Sequence, residues 1–350
     1  MRLAMQEEAA PRWYGAALPA LAVLITFAVT ALFLVAGGAD PFLAYHHLLV
    51  RPLTSRFNLL EILVAATPLL LTGAAVTFAF RAAYWNIGAE GQLLCGAIAA
   101  AGLGMVTGGL PRPAALALMI VAGAAAGAAW AFLPAWLRVR FGIDEVVTTL
   151  LLNPVALLLV SGLLNGPWRD PLTGFPESPR IAPSAEFPQL LARSRLHLGF
   201  VLGVAIILVG WLVTTRTPLG LRLRATGLSP TAARFAGIEV PRLLMVAALT
   251  SGAVAGLAGV SEVAGIQYRL TEGISPGYGF LGIVAATLGG LSMLGAALAA
   301  GLLGLINVGA DTVGRALAVP SQIGQVVQGT LLLVAVALLV FRRYRLRWVR

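Results

Sequence analysis

The sequence contains no lysine, and all 24 residues in its Lys+Arg total are arginine. A phosphate-binding P-loop needs a lysine to reach the β- and γ-phosphates of a nucleotide, so this chain cannot form one. If ATP drives its work, another subunit binds the ATP and its magnesium. The single cysteine, Cys95, excludes an intrachain disulfide and any cysteine cluster for zinc or iron–sulfur. The three histidines, His46, His47 and His197, fall near the ends of apolar runs. Adjacent side chains such as His46 and His47 rarely point the same way, so no metal site is assigned and no cofactor is expected on this chain. There is no HExxH, no GxSxG, no Ser–His–Asp set and no paired-carboxylate hydrolase pattern, so no residue is assigned a catalytic role. Apart from a few acids discussed below, the apolar runs lack ionisable relays. That speaks against a proton-driven carrier.

What is abundant is apolar surface. Of 350 residues, 59% are hydrophobic and 11% charged, and the mean hydropathy is +0.90. A water-soluble domain does not need that much apolar area. A membrane span needs about 20 apolar residues. Runs of that kind lie at 15–37, 59–80, 87–108, 113–136, 144–164, 197–215, 243–264, 295–313 and 322–341, with a shorter one at 279–291. The expected fold is an all-α integral membrane domain over 1–350 with about ten segments. The short one inserts partway or crosses within the bundle. The first run is too long for a signal-peptide core and reads as an uncleaved span.

Arginine distribution orients the bundle. With both termini in the cytoplasm, Arg2, Arg12, Arg81, Arg138, Arg140, five arginines in 216–242 and five in the tail lie inside, 15 of 24. The arginines sit in gaps between apolar runs. The net charge of +10 is therefore a topology signal and not a nucleic-acid footprint. The loop 165–196 becomes a proline-rich extracytoplasmic segment, either functional or a cover over helix ends.

The central loop TRTPLGLRLRATGLSPTAARFAGIEVPR, residues 215–242, carries helix signals of its own. Ser229 can cap, Pro230 can take the first position and Gly237 can end a short helix over Thr231–Ala236. A membrane protein that presents one short helix to the cytoplasm is suited to receiving force from a soluble partner. The segment FRAAYWNIGAEGQ, from Phe80 to Gln92, groups Tyr84, Trp85, Asn86 and Glu90 between two spans. Glu90 is either a first-turn acid stabilised by the helix dipole or a substrate contact. Asp144 and Glu145 suit the start of a span, and Asn153 precedes Pro154, where the helix is expected to kink. Glu262 and Arg269 are expected to form an ion pair, or to flank a glycine-broken segment that shapes a path. Glycines four apart (Gly104–Gly108, Gly123–Gly127, Gly199–Gly203, Gly252–Gly256) read as helix-packing positions.

NIGAEGQ at 86–92, DEVVTTLLLN at 144–153, LGLRLRATGLSPTAARFAGI at 219–238 and GYGFLGIVAATLGG at 277–290 together resemble permease subunits of bacterial ABC importers. The nearest group is the sugar/nucleoside branch, whose permeases work with basic-membrane-protein-type lipoproteins that bind nucleosides. Pro154 departs from the aromatic residue expected after Asn153. The resemblance implies a vitamin B12-importer-like (type II) fold in the bacterial inner membrane. It also implies a second permease subunit, a copy or a paralogue, an ABC ATPase pair below and a substrate-binding lipoprotein above. The central helix becomes a coupling helix, with Arg222, Arg224, Gly227, Pro230, Ala232, Ala233, Arg234, Gly237 and Ile238 at the ATPase contact or against lipid. Tyr84, Trp85, Asn86, Glu90 and Asn153 become candidate lining of the substrate path. The implied cargo is a nucleoside. The alternatives are a simple sugar such as ribose or galactose, and an ion-coupled carrier in which Glu90 or Glu262 titrates.

Overall fold

The computed structural model describes residues 2–7, 14–317, 320, 322–339 and 344–349. Among the described residues, each of the ten apolar runs forms a helix. In chain order the elements are β1 (Arg2–Glu7), α1 (Tyr14–Ala36), α2 (Pro41–Tyr45), α3 (Arg56–Phe80), α4 (Ala89–Val106), α5 (Arg112–Phe141), α6 (Glu145–Leu164), α7 (Leu198–Arg216), α8 (Pro218–Leu228), α9 (Pro230–Phe235), α10 (Val240–Glu262), α11 (Tyr278–Leu288), α12 (Met293–Leu317), α13 (Ile323–Leu339) and β2 (Tyr344–Val349). Among the described residues, eight helices are long and apolar enough to cross a membrane, and α11 and α13 are shorter apolar helices. β1 and β2 pair antiparallel, Arg2 opposite Val349, so the two ends lie side by side. Arg12, Arg342, Arg343 and Arg350, counted above toward the inner face, lie outside the described residues, as do positions 340 and 341 of the last run.

α3 and α10 form the buried centre, whereas α1, α5, α6 and α7 leave most of their surface open to lipid. Glycine explains how α4, α5 and α10 pack. A Cβ at Gly96 would sit 2.2 Å from the Gly256 carbonyl oxygen, one at Gly127 2.2 Å from that of Gly252, and one at Gly256 2.3 Å from that of Gly123. Backbones meet directly, as helices in lipid do when small residues share a seam. The other two pairs differ from the expectation. Gly104 faces the Ile181 side chain, and Gly199 and Gly203 face His197, Ser261 and Leu70, so they accommodate side chains rather than a second helix backbone.

The segment from Asn165 to His197 is laid over the ends of α4, α5 and α10. Ser178 N donates to Leu270 O (2.9 Å), Ile181 N to Tyr268 O (2.9 Å), Ala182 N to Gly104 O (2.8 Å) and Phe187 N to Ala264 O (2.8 Å). Ile181, Ala185 and Phe187 are buried beneath it. This is a packed cover whose backbone groups are satisfied by the bundle. Within it Glu177 pairs with Arg269. The expected Glu262–Arg269 pair is thus corrected, because the cover brings a nearer carboxylate to Arg269.

α11 contains 11 residues, about 16 Å of helix against a hydrocarbon core of about 30 Å. It begins inside the bundle. Tyr278 O accepts from Thr72 Oγ1 (3.0 Å), midway along α3, and its other end turns into α12 at Gly289–Ser292. The short segment therefore starts at depth, and neighbouring protein satisfies its open end.

Candidate functional site

The surface hairpin is built from two capped helices. Thr217 Oγ1 accepts from Gly220 N to open α8, and Pro218 holds its first position. Ser229 Oγ accepts from Ala232 N (3.2 Å) to open α9 at Pro230. Gly237, at φ +78°, ends it, with Ile238 N donating to Ala233 O (3.0 Å). The expected helix over Thr231–Ala236 is thus present, begun one residue earlier and ended one residue earlier. α8 was not foreseen, although Thr217–Pro218 repeats the hydroxyl–proline signal of Ser229–Pro230. Leu223, Thr226 and Ala233 face the bundle, while Arg222, Arg224, Pro230, Ala232, Arg234 and the apolar tips Leu221, Leu228 and Phe235 face outward. Phe235 is 90% exposed.

Gly227 belongs to the inner side of the hairpin. A Cβ there would lie 2.2 Å from the Arg81 carbonyl oxygen. The Arg81 side chain in turn gathers two other elements: Nε donates to Leu291 O (2.9 Å) after α11, and Nη1 to Thr214 O (3.2 Å) in α7. Burial, with Arg224 nearby, lowers the pKa of this guanidinium from its ordinary value. Its forked donors hold two carbonyls at fixed angles, which a lysine would not do. The hairpin, the end of α7 and the α11–α12 turn thus converge on one residue.

The NIGAEGQ segment folds into a knot of amides. Asn86 Nδ2 donates to Gln92 Oε1 (2.8 Å) and Ser251 Oγ (2.9 Å), and its Oδ1 accepts from Gln92 Nε2 and Gly88 N (each 3.0 Å). Ser251 Oγ in turn donates to Ala75 O (2.7 Å). Asn153 Oδ1 accepts from Gly91 N (2.9 Å) and its Nδ2 donates to Ile87 O (3.0 Å). Pro154, which follows, stays within α6. Glu145 accepts from Trp85 N (3.3 Å) and pairs with Arg138 (3.0 Å), while Asp144 caps α6 through Val146 N (2.7 Å). Tyr84 is buried, which raises its phenol pKa above the ordinary value; Glu145 adds to the effect. Trp85 stays 40% exposed, edge-on to Phe80. Of the five residues expected on a substrate path, Asn86 and Asn153 direct their amides into the protein, and Tyr84 is enclosed. Glu90 lies in the first turn of α4, as one of the two sequence readings had it, and has a further role that neither anticipated. Its Oε2 accepts from Gly279 N (2.7 Å) and so caps the buried N-terminus of α11, 189 residues away. A carboxylate is well placed against that positive helix end.

A polar cavity opens above α11. It measures about 330 Å³ and is walled by Phe57, Asn58 and Glu61 of α3, Arg195, Glu262, Tyr278, and Asn307, Asp311 and Arg315 of α12. A second chamber of about 170 Å³ shares Asn307 and Asp311 with it and adds Gln322, Gln325 and Gln328. Arg195 and Glu61 form an ion pair at its edge, which raises the pKa of the guanidinium further. The Glu262 carboxyl is 5% exposed. Among the described residues it has no hydrogen bond or ion pair, and neither do the side chains of Asn58, Asn307 and Asp311. Sequence reading singled out Glu262 alone from this wall. Asn307 and Asp311, four apart on one face of α12, were the signal that could have extended it.

The family model described as branched-chain amino acid transport system / permease component matches residues 58–336. The chain is 38% identical to a glucose ABC transporter permease protein of Haloferax volcanii, over 96% of this chain and 90% of that one. It is 34% identical to a guanosine ABC transporter permease protein of Bacillus subtilis, over 90% and 91%. It is 30% identical to a nucleoside ABC transporter permease protein of Lactococcus lactis, over 83% of each. No solved structure matches.

Proposed function

This chain belongs to the branched-chain amino acid transport system / permease component family, and from that premise we propose that it is the membrane subunit of an ATP-driven importer carrying nucleosides. The observation that carries the mechanism is one connected path. The α8–α9 hairpin rests on the Arg81 loop through Gly227, Arg81 holds the α11–α12 turn, and the other end of α11 presents Tyr278 to the polar cavity. A partner ATPase, using ATP and magnesium, engages Arg222, Arg224, Arg234 and the exposed tips of the hairpin. Ala232, Pro230 and Gly237 keep the outer face of α9 short and narrow enough to seat in a cleft, while Ala233 packs its inner face on the bundle. Closure of the ATPase pair displaces the hairpin, and the rigid contacts above carry that displacement to α11, so access to the cavity alternates. The hairpin and both termini face the cytoplasm, which the arginine distribution and the paired ends support. A second permease subunit and a substrate-binding lipoprotein on the outer face complete the assembly in the inner membrane.

Nucleosides are supported by the guanosine and nucleoside permeases among the relatives and by the NIGAEGQ form. A glucose-type cargo is the second reading, supported by the Haloferax relative. The test is uptake of labelled nucleosides and sugars into proteoliposomes holding the chain with its ATPase, partner permease and binding protein. Intact assemblies will take up nucleosides only with ATP, and Arg234→Glu will lose at least tenfold of that rate by weakening the ATPase contact. ATP-independent uptake that collapses with an ion gradient would sink this reading in favour of a secondary carrier.

A further inference from the structure

Eight fully enclosed side-chain atoms among the described residues, Ser261 Oγ and Thr77 Oγ1 among them, lack a partner and face only packed protein. The cavity above α11 is different. Glu262 reaches it from the end of α10, 95% enclosed, without a protein partner among the described residues. Arg195, in the same wall, already donates through two nitrogens to Glu61. Asn307 lines the same cavity from α12, and its amide too has no partner among the described residues. A carboxyl with no protein donor that faces an open volume keeps its accepting capacity free for a ligand that supplies the donors.

The chemistry of the wall narrows the ligand. Three carboxyl side chains (Glu61, Glu262, Asp311) face two guanidinium groups (Arg195, Arg315), so the charges nearly offset. An anion such as a nucleotide phosphate would meet the unpaired Glu262 and Asp311 carboxyls. Among the described residues no three His, Cys, Asp or Glu side chains converge for a metal ion. A neutral ligand with paired hydroxyls fits. The two oxygens of one carboxyl accept from two adjacent hydroxyls, and an amide opposite both donates and accepts. Phe57 and Tyr278 supply aromatic faces for the rest of the molecule. A volume of about 330 Å³ falls within the usual range of small-molecule sites.

The geometry points to Glu262 and Asn307 as the pair that recognises a vicinal diol, on a ribosyl group or a hexose, inside the membrane. This rests on the importer reading and deepens it, because pentose-bearing nucleosides and glucose share that group. The permease then checks its cargo a second time after the binding protein releases it.

The test compares kcat/KM for ATP-driven uptake of uridine with that of 2′,3′-dideoxyuridine, in intact assemblies and in Glu262→Gln. The binding protein is the same in both, so its own preference cancels in the comparison. The uridine preference will fall about tenfold in Glu262→Gln, one hydrogen bond's worth. Asn307→Ala, on the opposite wall, will lower it in the same direction and serves if Glu262→Gln fails to assemble. If glucose proves to be the cargo, glucose and 2,3-dideoxyglucose take the same places. Unchanged preference in both variants overturns the diol assignment while leaving the importer intact. Absence of ATP-driven uptake of either class from the unaltered assembly overturns the importer reading, and this inference with it.

Discussion

Two regions of this bundle each gather polar side chains, with an asparagine in both, and treat them in opposite ways. In the knot around Asn86, amides and hydroxyls bond one another and the backbone: Asn86, Gln92, Ser251 and Asn153 all lie under 5% exposed and all are partnered. In the cavity above α11, buried Glu262, half-buried Asn307 and exposed Asp311 have no partner among the described residues. A satisfied buried network fixes one geometry and resists change. An unsatisfied group facing an open volume stabilises nothing in the empty protein and is available to a ligand. Burial of a polar residue in a membrane bundle therefore says little about its role. Whether its hydrogen bonds close inside the protein says much more.

The comparison breaks first at Asn86. Asn86→Leu leaves the amide of Gln92, the hydroxyl of Ser251 and the Gly88 N–H without their partner in a site that water does not reach. At about 1–3 kcal/mol per orphaned group, the loss is about 3 kcal/mol or more, enough to prevent stable assembly. Thermal unfolding of the purified protein in lipid nanodiscs measures it, and a variant as stable as the parent would show that the knot is not structural.

His197 stands between the two regimes, with one ring nitrogen partnered and one not. Nδ1 accepts from Gly199 N (3.1 Å) and caps α7, which leaves the proton on Nε2, and that atom has no partner among the described residues. Burial pushes its pKa down to about 4. An unfolded histidine protonates near 6.5, so between these values the unfolded state binds a proton that the folded state refuses. Stability is therefore present above pH 6.5 and falls as pH drops toward 4, by roughly 3 kcal/mol across the window. His197→Asn keeps a short acceptor for the Gly199 N–H and removes the titration. Its melting temperature will fall less than the parent's between pH 7 and pH 4.5. Parallel curves would assign the acid sensitivity to other groups.

The split between what sequence shows and what it hides follows the same line. Nine of the ten apolar runs were legible as helices among the described residues because a run of membrane length has few other fates. α9 was legible because Ser229, Pro230 and Gly237 act within a few residues of themselves. The partners of polar side chains were not. Glu90 meets Gly279 189 positions away, Arg81 meets Leu291 210 positions away, and Arg269 meets Glu177 because an irregular cover happens to lie there. No local propensity encodes such pairings. Asn86 and Asn153 looked like path residues because a polar amide beside a span has two fates, and only the fold distinguishes them.

The smallest expected effect on stability is the most telling, because its sign differs. Glu262→Leu replaces a buried, unpartnered carboxyl by an apolar side chain of similar size. It removes no hydrogen bond seen among the described residues and removes the cost of enclosing a carboxyl, so the protein is expected to hold its stability or gain up to about 1 kcal/mol. Transport should fall all the same, because a site matched to its cargo is costly when empty. Nanodisc unfolding and uptake, measured on the one variant, give both numbers. The same kind of change, polar to leucine in the middle of the bundle, thus destabilises at Asn86 and not at Glu262. If Glu262→Leu unfolds as readily as Asn86→Leu, the carboxyl is a structural member and the cavity is only the space beside it.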